Sequence, residues 1–263
     1  MPDKMPNSIE QYNDSAKQFA DAVMFEKAAI IAPALQRAFE RAVHWDNNFD
    51  PQKDKIIDIG CGPFLLALPF LTKGIHVDGV DIAPNMLEQA QKTLARNANV
   101  PVNGTRLVDN FNNLAKGAYS FAMMNFVHQC CVNRSELDAL FRQANELLKA
   151  GSSLVLIGSH PDFLHVPHSA CAYNVAHGKR LADGELYTGT IYNYQADETF
   201  DLKGDYYWSK KTLLEAGRGA GFEVEVVEPI EDLPSLRRPK SKEPAYIMMI
   251  FSKPQPSYAP GPA

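Results

Sequence analysis

The chain has 263 residues, of which 45% are hydrophobic and 22% are charged, and its formal net charge is -5. These values exclude a disordered chain and fit a single α/β domain that carries an insertion. The negative charge argues against general binding to a nucleic-acid backbone, because such binding needs clustered Lys and Arg side chains.

The N-terminal sequence and the cysteines favour a cytoplasmic protein. The first residues are polar and lack the apolar segment of a signal peptide. No run reaches the roughly 18 apolar residues that a membrane helix needs. The four cysteines include no Cys-x-x-Cys pair, so the sequence predicts neither a disulfide framework nor a cysteine metal site.

The N-terminal part of the chain is predicted to be helical. Apolar residues recur at helical spacing between residues 8 and 45, and Asp50-Pro51 closes this segment. We therefore expect residues 1–50 to form a helical cover for the domain that follows.

A regular alternation of strands and helices begins after residue 50. Such an alternation implies a parallel sheet that is covered by helices on both faces. Residues 51–158 are therefore predicted to form the core, and Gly151 is predicted to end its last helix. The predicted strands are at 55–59, 75–80, 105–108, 120–125 and 153–158, and the predicted helices are at 64–72, 84–97 and 135–148.

The last part of the chain has a different pattern. Residues 159–207 lack a clear alternation and are rich in His, Tyr, Asp and Gly, so we expect an insertion that covers the ligand site. A helix at 208–220, with Ser209 as its N-cap, and strands at 223–227 and 245–252 complete the sheet. The Pro-rich residues 253–263 are predicted to be a disordered tail.

The most specific motif lies at the end of the first predicted strand, where Asp58 is followed by Gly60-Cys61-Gly62. Glycine lets the backbone turn sharply and approach a ligand, because no Cβ stands in the way. A helix that starts beyond such a turn offers free N–H groups to an electronegative group. Pairs of glycines also occur in plain structural turns, so the motif takes its meaning from its surroundings.

Acidic residues also end the second and third predicted strands, at Asp81 and Asp109. A carboxylate at the end of the second strand can accept two hydrogen bonds from a ribose diol. An acid at the end of the third strand can accept a hydrogen bond from the amino group of an adenine. Since ligands of open α/β sheets bind at the carboxyl ends of the strands, the three acids predict one shared ligand site.

These residues make the chain resemble the class I methyltransferases that use S-adenosylmethionine (SAM). The first motif of that family, acid-x-Gly-x-Gly-x-Gly, is matched by Asp58, Gly60 and Gly62, and Phe64 stands at the third glycine. The resemblance covers residues 10 to 252 and implies a Rossmann-like α/β sheet of seven strands with an antiparallel last strand. The dinucleotide fingerprint Gly-x-Gly-x-x-Gly is absent, which argues against NAD.

The same resemblance implies which residues bind SAM. Asp81 matches the ribose-binding acid of the family, and Ile82 is expected beside the adenine. Asp109 and Asn110 match the pair that contacts the adenine. The complete set implied for the cofactor is Tyr12, Asp58, Gly60, Gly62, Asp81, Ile82, Asp109, Asn110, Asn125 and Phe126.

Two members of this set are implied at the methionine end of SAM, and a third is implied as a cover of the cofactor. Asn125 and Phe126 match the end of the fourth strand, which lines the sulfonium and the methionine part. Tyr12 resembles an N-terminal tyrosine that covers the cofactor in the family.

A finer similarity concerns residues 124–126, the helix at 135–148, and residues 199–201 and 206–209, which are similar to toxoflavin-type N-methyltransferases and related enzymes that act on small molecules. The resemblance implies transfer of the SAM methyl group to an N, O or C nucleophile of a small molecule in specialised metabolism. The sulfonium is already a good leaving group, so the main task of the protein is to align the reactants.

Candidates for catalysis and substrate binding follow the fourth and fifth predicted strands. His128 can act as a general base near the acceptor, or it can cap and pack against the next helix. Aromatic residues of the insertion can wall a pocket for a flat substrate or form the insertion's own core. Its histidines show no clean ligand pattern, so no metal is expected. The predicted substrate-binding residues are His160, Tyr173, Tyr192 and Tyr194.

Two other functions fit the same sequence features. An enzyme of this fold can use SAM for a different reaction, such as cyclisation of the aminobutyrate arm with release of methylthioadenosine, or a pericyclic reaction. A non-catalytic SAM-binding subunit is the other alternative, and the three acids at the strand ends argue against it. The sequence defines neither the acceptor nor the oligomeric state.

Overall fold

The computed structural model describes residues 8–23, 26–46, 49–102, 104–193, 196–232 and 242–255. Within these residues, the centre of the fold is a sheet of seven strands. Its strands are β1 (Lys55–Ile59), β2 (His76–Val80), β3 (Leu107–Val108), β4 (Tyr119–Asn125), β5 (Leu148–Ser159), β9 (Glu223–Ile230) and β10 (Tyr246–Ser252). They are ordered β3-β2-β1-β4-β5-β10-β9.

The directions of the strands confirm the predicted α/β fold. Strands β1 to β5 pair in parallel, and β10 lies antiparallel between β5 and β9. Four of the five residues of β1 are buried, because helices cover both faces of the sheet. This burial explains why the central strands are read from the sequence as continuous apolar runs.

Helices pack on the two faces of this sheet. One face packs against α2 (Ala32–Asp46), α3 (Leu68–Thr72) and α4 (Pro84–Arg96). The other packs against α5 (Arg134–Leu147) and α6 (Lys210–Gly219). Asn133 caps the start of α5 through the N–H of Glu136 at 3.0 Å, and Ser209 caps α6 as predicted.

The N-terminal segment, predicted to be helical over residues 8–45, is divided into two helices. Helix α1 (Ser8–Ala22) is followed by a π-helical turn, Lys27–Ile31, which continues directly into α2. Pro33 lies in the first turn of α2 and has no N–H, and the wide turn before it closes from Ala32 N to Lys27 O. The break turns α1 across the carboxyl edge of the sheet.

Two predicted boundaries are wrong in the core. The helix expected over 64–72 begins only at Leu68, and the chain between Gly60 and Leu68 is a series of turns. The fifth strand was predicted to start at Ser153 after a helix ended by Gly151, but α5 ends at Leu147 and β5 starts directly at Leu148. Gly151 has φ +80° and lies inside the strand, beside an irregularity in the pairing of β4 with β5.

The insertion contains a second sheet, which the sequence pattern did not reveal. Strands β6 (Cys171–Tyr173), β7 (Leu186–Asn193) and β8 (Glu198–Tyr206) form an antiparallel meander. The apolar side of this small sheet packs against α1, with Cys171, Ile191 and Leu202 around Ala22. Helix α1 therefore lies between the insertion and the carboxyl edge of the large sheet. None of the described helices has the length and apolar character needed to cross a membrane.

Candidate functional site

A cavity of about 660 Å³ opens at the carboxyl edge of the large sheet. Its wall includes all ten residues that the sequence implies for the cofactor, from Tyr12 to Phe126. They come together because Ile59 pairs with Val80 and with Met124, and Val80 pairs with Val108. The residues that follow these pairs therefore leave the sheet side by side.

The glycine turn after β1 adopts a conformation that favours glycine. Gly60 has φ +64° and Gly62 has φ +50°. A Cβ on Gly60 would lie 2.1 Å from Val127 Cγ2, whereas a Cβ on Gly62 would meet nothing closer than Met86 Sδ at 3.9 Å. Gly60 is therefore required by the packing of the turn, and Gly62 keeps the cavity wall open.

Phe64, which replaces the third glycine of the family motif, keeps a glycine-like backbone. Its φ is +63°, a conformation that costs an L-residue roughly 1–2 kcal/mol. The ring is fully buried and fills space beside Gly79, where a Cβ would lie 2.8 Å from Phe64 Cε2. Burial of the ring offsets the backbone strain, so the turn retains its shape without the third glycine.

Asp81 connects the glycine turn to the turn after β2. One carboxylate oxygen accepts from the N–H of Gly62 at 2.8 Å, and the other accepts from the N–H of Ala83 at 2.9 Å. Burial raises the pKa of the Asp81 carboxyl, and the two backbone donors partly offset this rise. Each oxygen retains a further lone pair for a ligand hydroxyl.

Lys27 is a residue of the cavity wall that the sequence analysis missed. Its ammonium lies 4.0 Å from the centroid of the Phe126 ring, and its side chain is buried. Burial lowers the pKa of Lys27, although the carboxylates of Glu26 and Asp58 counteract this effect. The π-helical turn brings this cation to the site, and Pro33 was the signal in the sequence that the helix is not regular.

Asp58 is a buried acid close to this cation. Burial raises the pKa of Asp58 to about 8, with Lys27 opposing the rise and Asp81 adding to it. The site therefore holds buried groups of both signs. This composition suits a ligand that carries both an ammonium and a carboxylate.

Asn125 ends β4 with both polar atoms of its amide buried and without a hydrogen-bond partner among the described residues. Buried amides are normally hydrogen-bonded, so the nitrogen and oxygen of the Asn125 side chain indicate a place where a ligand completes their hydrogen bonds. Phe126 follows with φ +63°, and this strained turn sets its ring against Tyr246 at 5.8 Å between centroids.

The wall opposite the glycine turn carries the residues implied for the adenine. Ile82 is 52% exposed although it is apolar, which suits a flat ring packed on it. Asp109 and Asn110 are exposed at the rim. The side-chain oxygen Oδ1 of Asn110 accepts from the N–H of Asn112 at 2.8 Å. Mainly the side-chain N–H₂ group of Asn110 is therefore left for a ligand.

The N-terminal helix closes the cavity. Ile9, Tyr12 and Phe19 of α1 line it, and α1 is fixed to the start of α4 by two hydrogen bonds of 3.0 Å between Asn13 and Asn85. None of the described residues between 159 and 207 lines the cavity. Helix α1 stands between the insertion and this cavity and forms the wall.

His128 lies behind the cavity wall rather than in it. It starts a short 3₁₀ turn, is buried, and packs against Gly158, where a Cβ would lie 2.1 Å from His128 Cε1. Burial lowers the pKa of His128 to about 3, so the imidazole is neutral at physiological pH. The structure thus favours the packing interpretation of His128 over the general base.

Three of the predicted substrate-binding residues, His160, Tyr173 and Tyr192, do not line this cavity. His160 caps the 3₁₀ turn Pro161–Phe163, and Tyr173 shares a hydrogen bond of 2.5 Å with Ser159. Tyr192 is in β7, where its N–H donates to Ala170 O at 2.8 Å. Tyr194 lies outside the described residues. Of the two interpretations of the insertion's aromatic residues, the structure favours packing, since Tyr173 and Tyr187 stack edge to face at 5.2 Å.

No group of three or more His, Cys, Asp or Glu side chains with the geometry of a metal site occurs in the described part of the chain.

The fold and the cavity define an α/β protein with a ligand cavity at the carboxyl edge of its parallel strands. Residues 56–151 match the family model described as a methyltransferase domain. The chain therefore contains a methyltransferase domain, and its sheet has the Rossmann-like order that the resemblance to class I methyltransferases implies.

Solved structures share this fold at low sequence identity. A SAM-dependent methyltransferase from Clostridium acetobutylicum has a TM-score of 0.63 at 13% identity, with 91% of this chain and 99% of that chain covered. The CcbJ methyltransferase from Streptomyces caelestis has a TM-score of 0.56 at 17% identity, with coverages of 83% and 90%. The glycopeptide N-methyltransferase MtfA, solved with SAM, has a TM-score of 0.55 at 16% identity, with coverages of 82% and 87%. No curated protein sequence matches the chain significantly.

Proposed function

We propose that this chain transfers the methyl group of SAM to a nucleophilic atom of a small molecule. The observation that carries the proposal is the convergence of ten residues, chosen from the sequence alone, on one cavity of about 660 Å³. This volume lies within the range of roughly 300–1,000 Å³ that pockets for compact organic ligands occupy.

The residues of the cavity fit SAM group by group. Asp81 is suited to the ribose diol, and Ile82, Asp109 and Asn110 to the adenine. Lys27 is suited to the carboxylate of the methionine part, because a buried ammonium gains most from an anionic partner. Asn125 offers an amide without partners at the same end.

When bound, SAM supplies a methyl group that is already activated by a positive sulfur. The protein then has to hold the acceptor in line with that methyl group and to exclude water. Enclosure by α1 supports a small acceptor, since Ile9, Tyr12 and Phe19 cover the cavity. The name of one structural neighbour, a glycopeptide N-methyltransferase, is consistent with transfer to a nitrogen.

Calorimetry with SAM and S-adenosylhomocysteine tests the binding part of the proposal. A panel of small amines, alcohols, phenols and activated carbon acids, incubated with SAM and the enzyme, tests the reaction. Release of S-adenosylhomocysteine with a methylated acceptor supports methyl transfer. Methylthioadenosine as the product would mean that the enzyme uses the aminobutyrate arm instead, and a failure to bind SAM would remove the proposal altogether.

A further inference from the structure

A buried acid lies directly behind the wall of the cavity. Asp205 of β8 is 3% exposed, and its carboxylate accepts from the hydroxyl of Tyr12 at 3.2 Å. Its second oxygen accepts from Gln129 Nε2 at 2.8 Å. Tyr12 lines the cavity, so Asp205 is one hydrogen bond away from whatever occupies it.

The surroundings hold Tyr12 and Asp205 in place. The Gln11 amide makes two hydrogen bonds to the backbone of Gly204, at 2.8 and 3.2 Å, beside the Tyr12–Asp205 contact. The side-chain oxygen Oε1 of Gln129 accepts from the N–H of Ser159 at 3.2 Å. This bond fixes the side-chain amide of Gln129, whose nitrogen faces Asp205. With its proton directed to Asp205, the Tyr12 oxygen is left as an acceptor for a donor in the cavity.

The electrostatics of this cluster make Asp205 a proton acceptor near neutral pH. Burial raises the pKa of Asp205 to about 7, and the hydrogen bonds from Gln129 and Tyr12 oppose the rise. The titratable groups that face it from α1, the turn after β4, β6 and β7 have pKa values raised by burial, so they are neutral in this range. They are Tyr12, Cys130, Cys171, Tyr173 and Tyr187.

We propose that Tyr12 and Asp205 form an acceptor-binding dyad, and that the acceptor of the methyl group is an amine. The inference rests on the proposed function and deepens it. Tyr12 contacts the acceptor nitrogen, and Asp205 acts through Tyr12 as a positioning residue. An amine fits better than an alcohol because acids outnumber cations in the wall: Asp58, Asp81, Asp109 and Glu136 line the cavity together with Lys27.

The dyad accounts for the proton that a protonated amine must lose. That proton passes from the acceptor nitrogen to the Tyr12 oxygen while the Tyr12 hydroxyl proton passes to Asp205. The freed lone pair of the nitrogen forms the bond to the methyl carbon, and the electron pair of the broken carbon–sulfur bond stays on the sulfur. Asp205 returns its proton to water when the products leave.

The experiment compares two stable ligands by calorimetry at pH 6, 7 and 8. Sinefungin carries an amine where SAM carries its methylated sulfur, and S-adenosylhomocysteine carries a neutral sulfur there. Both share the adenosine and the amino acid part, so the ratio of their Kd values cancels effects of pH on the common contacts. We expect the preference for sinefungin to grow by at least about threefold from pH 6 to 8, because Asp205 becomes charged in this interval.

Three variants make the comparison specific. D205N and Y12F should remove the growth of the preference with pH, while each still binds S-adenosylhomocysteine. D201N removes an exposed carboxylate from the same strand and should behave like the wild type. If D205N does not fold, the pH series of the wild type and of Y12F decide the question.

A preference that stays constant with pH in the wild type would overturn the dyad. The same would follow if the preference grew equally in D205N, because the titrating acid would then be another group, such as Asp58. Failure of the wild type to bind either ligand would instead refute the proposed function.

Discussion

The backbone N–H of Gly62 donates to the Asp81 carboxylate at 2.8 Å and so joins the two turns that form the centre of the site. The N–H of Ala83 donates to the other oxygen at 2.9 Å. The same carboxylate therefore shapes the protein and faces the cavity. A substitution at Asp81 acts on both, and measurements of its effect must separate binding from stability.

Asp81→Ala should weaken SAM binding by about 1.5–3 kcal/mol, the range of hydrogen bonds to a charged group. Two backbone N–H groups also lose their acceptor, so the unfolding temperature should fall as well, although the residue only ends a strand. Calorimetry with SAM and thermal unfolding measure the two effects. Asp201→Ala is the matched control on the protein surface. If Asp81→Ala binds SAM as tightly as the wild type does, Asp81 is not part of the site.

Gly60→Ala should destabilise the protein more than Gly62→Ala. Both substitutions cost roughly 1–2 kcal/mol for an L-residue at positive φ, but only the first brings a Cβ to 2.1 Å from Val127 Cγ2. The additional cost of Gly60→Ala should shrink in a Val127→Ala background, since the clashing methyl is gone. Urea unfolding of the single and double variants measures this coupling. Strictly additive losses would show that the contact with Val127 is not what requires glycine.

Lys27→Met should reduce the affinity for SAM by about tenfold or more, because the carboxylate of the ligand loses its buried cation. Adenosine lacks that carboxylate, so its affinity should change little. Calorimetry with both ligands measures the difference, and Lys17→Met on the exposed side of α1 is the control. Equal losses for SAM and adenosine would assign Lys27 a purely structural role.

The stability of the ligand-free protein should fall as the pH rises from 5 to 8. Asp58 has a folded-state pKa of about 8, whereas an aspartate in the unfolded chain has an ordinary pKa of about 3.8, so the folded state binds more protons than the unfolded state over this interval. The slope from a single group is at most about 1.4 kcal/mol per pH unit. Unfolding in urea at several pH values measures it.

Asp58→Asn removes this ionisation and should flatten the pH dependence. Asp205, whose pKa burial raises to about 7, contributes in the same direction, so Asp58→Asn should leave part of the slope. A pH dependence of stability in Asp58→Asn equal to that of the wild type would contradict the raised pKa of Asp58.

The cofactor side of the site was predictable because it depends on local order in the chain. In a parallel sheet, every strand ends at the same edge, so Asp58, Asp81, Asp109 and Asn125 meet once the strands are identified. Helix and strand types in the core followed from apolar periodicity. Boundaries were less certain, as Gly151 shows, because a glycine at positive φ can end a helix or lie inside a strand.

The three-dimensional structure alone decided which residues cover that edge. Tyr12 meets Asp205, 193 positions away in the chain, and no local pattern predicts such a contact. The same holds for Lys27, which faces inward only because the π-helical turn precedes Pro33.

The division between what the sequence predicts and what only the tertiary structure decides has a physical basis. The sequence by itself determined the sheet and its ligand-binding edge, since those depend on backbone geometry and on the apolar pattern of each segment. Tertiary packing decided that α1 walls the cavity while the insertion packs behind it, and that His128 is buried away from the ligand. Such choices depend on which apolar surfaces meet across the whole fold, and that energy is shared among residues far apart in the chain.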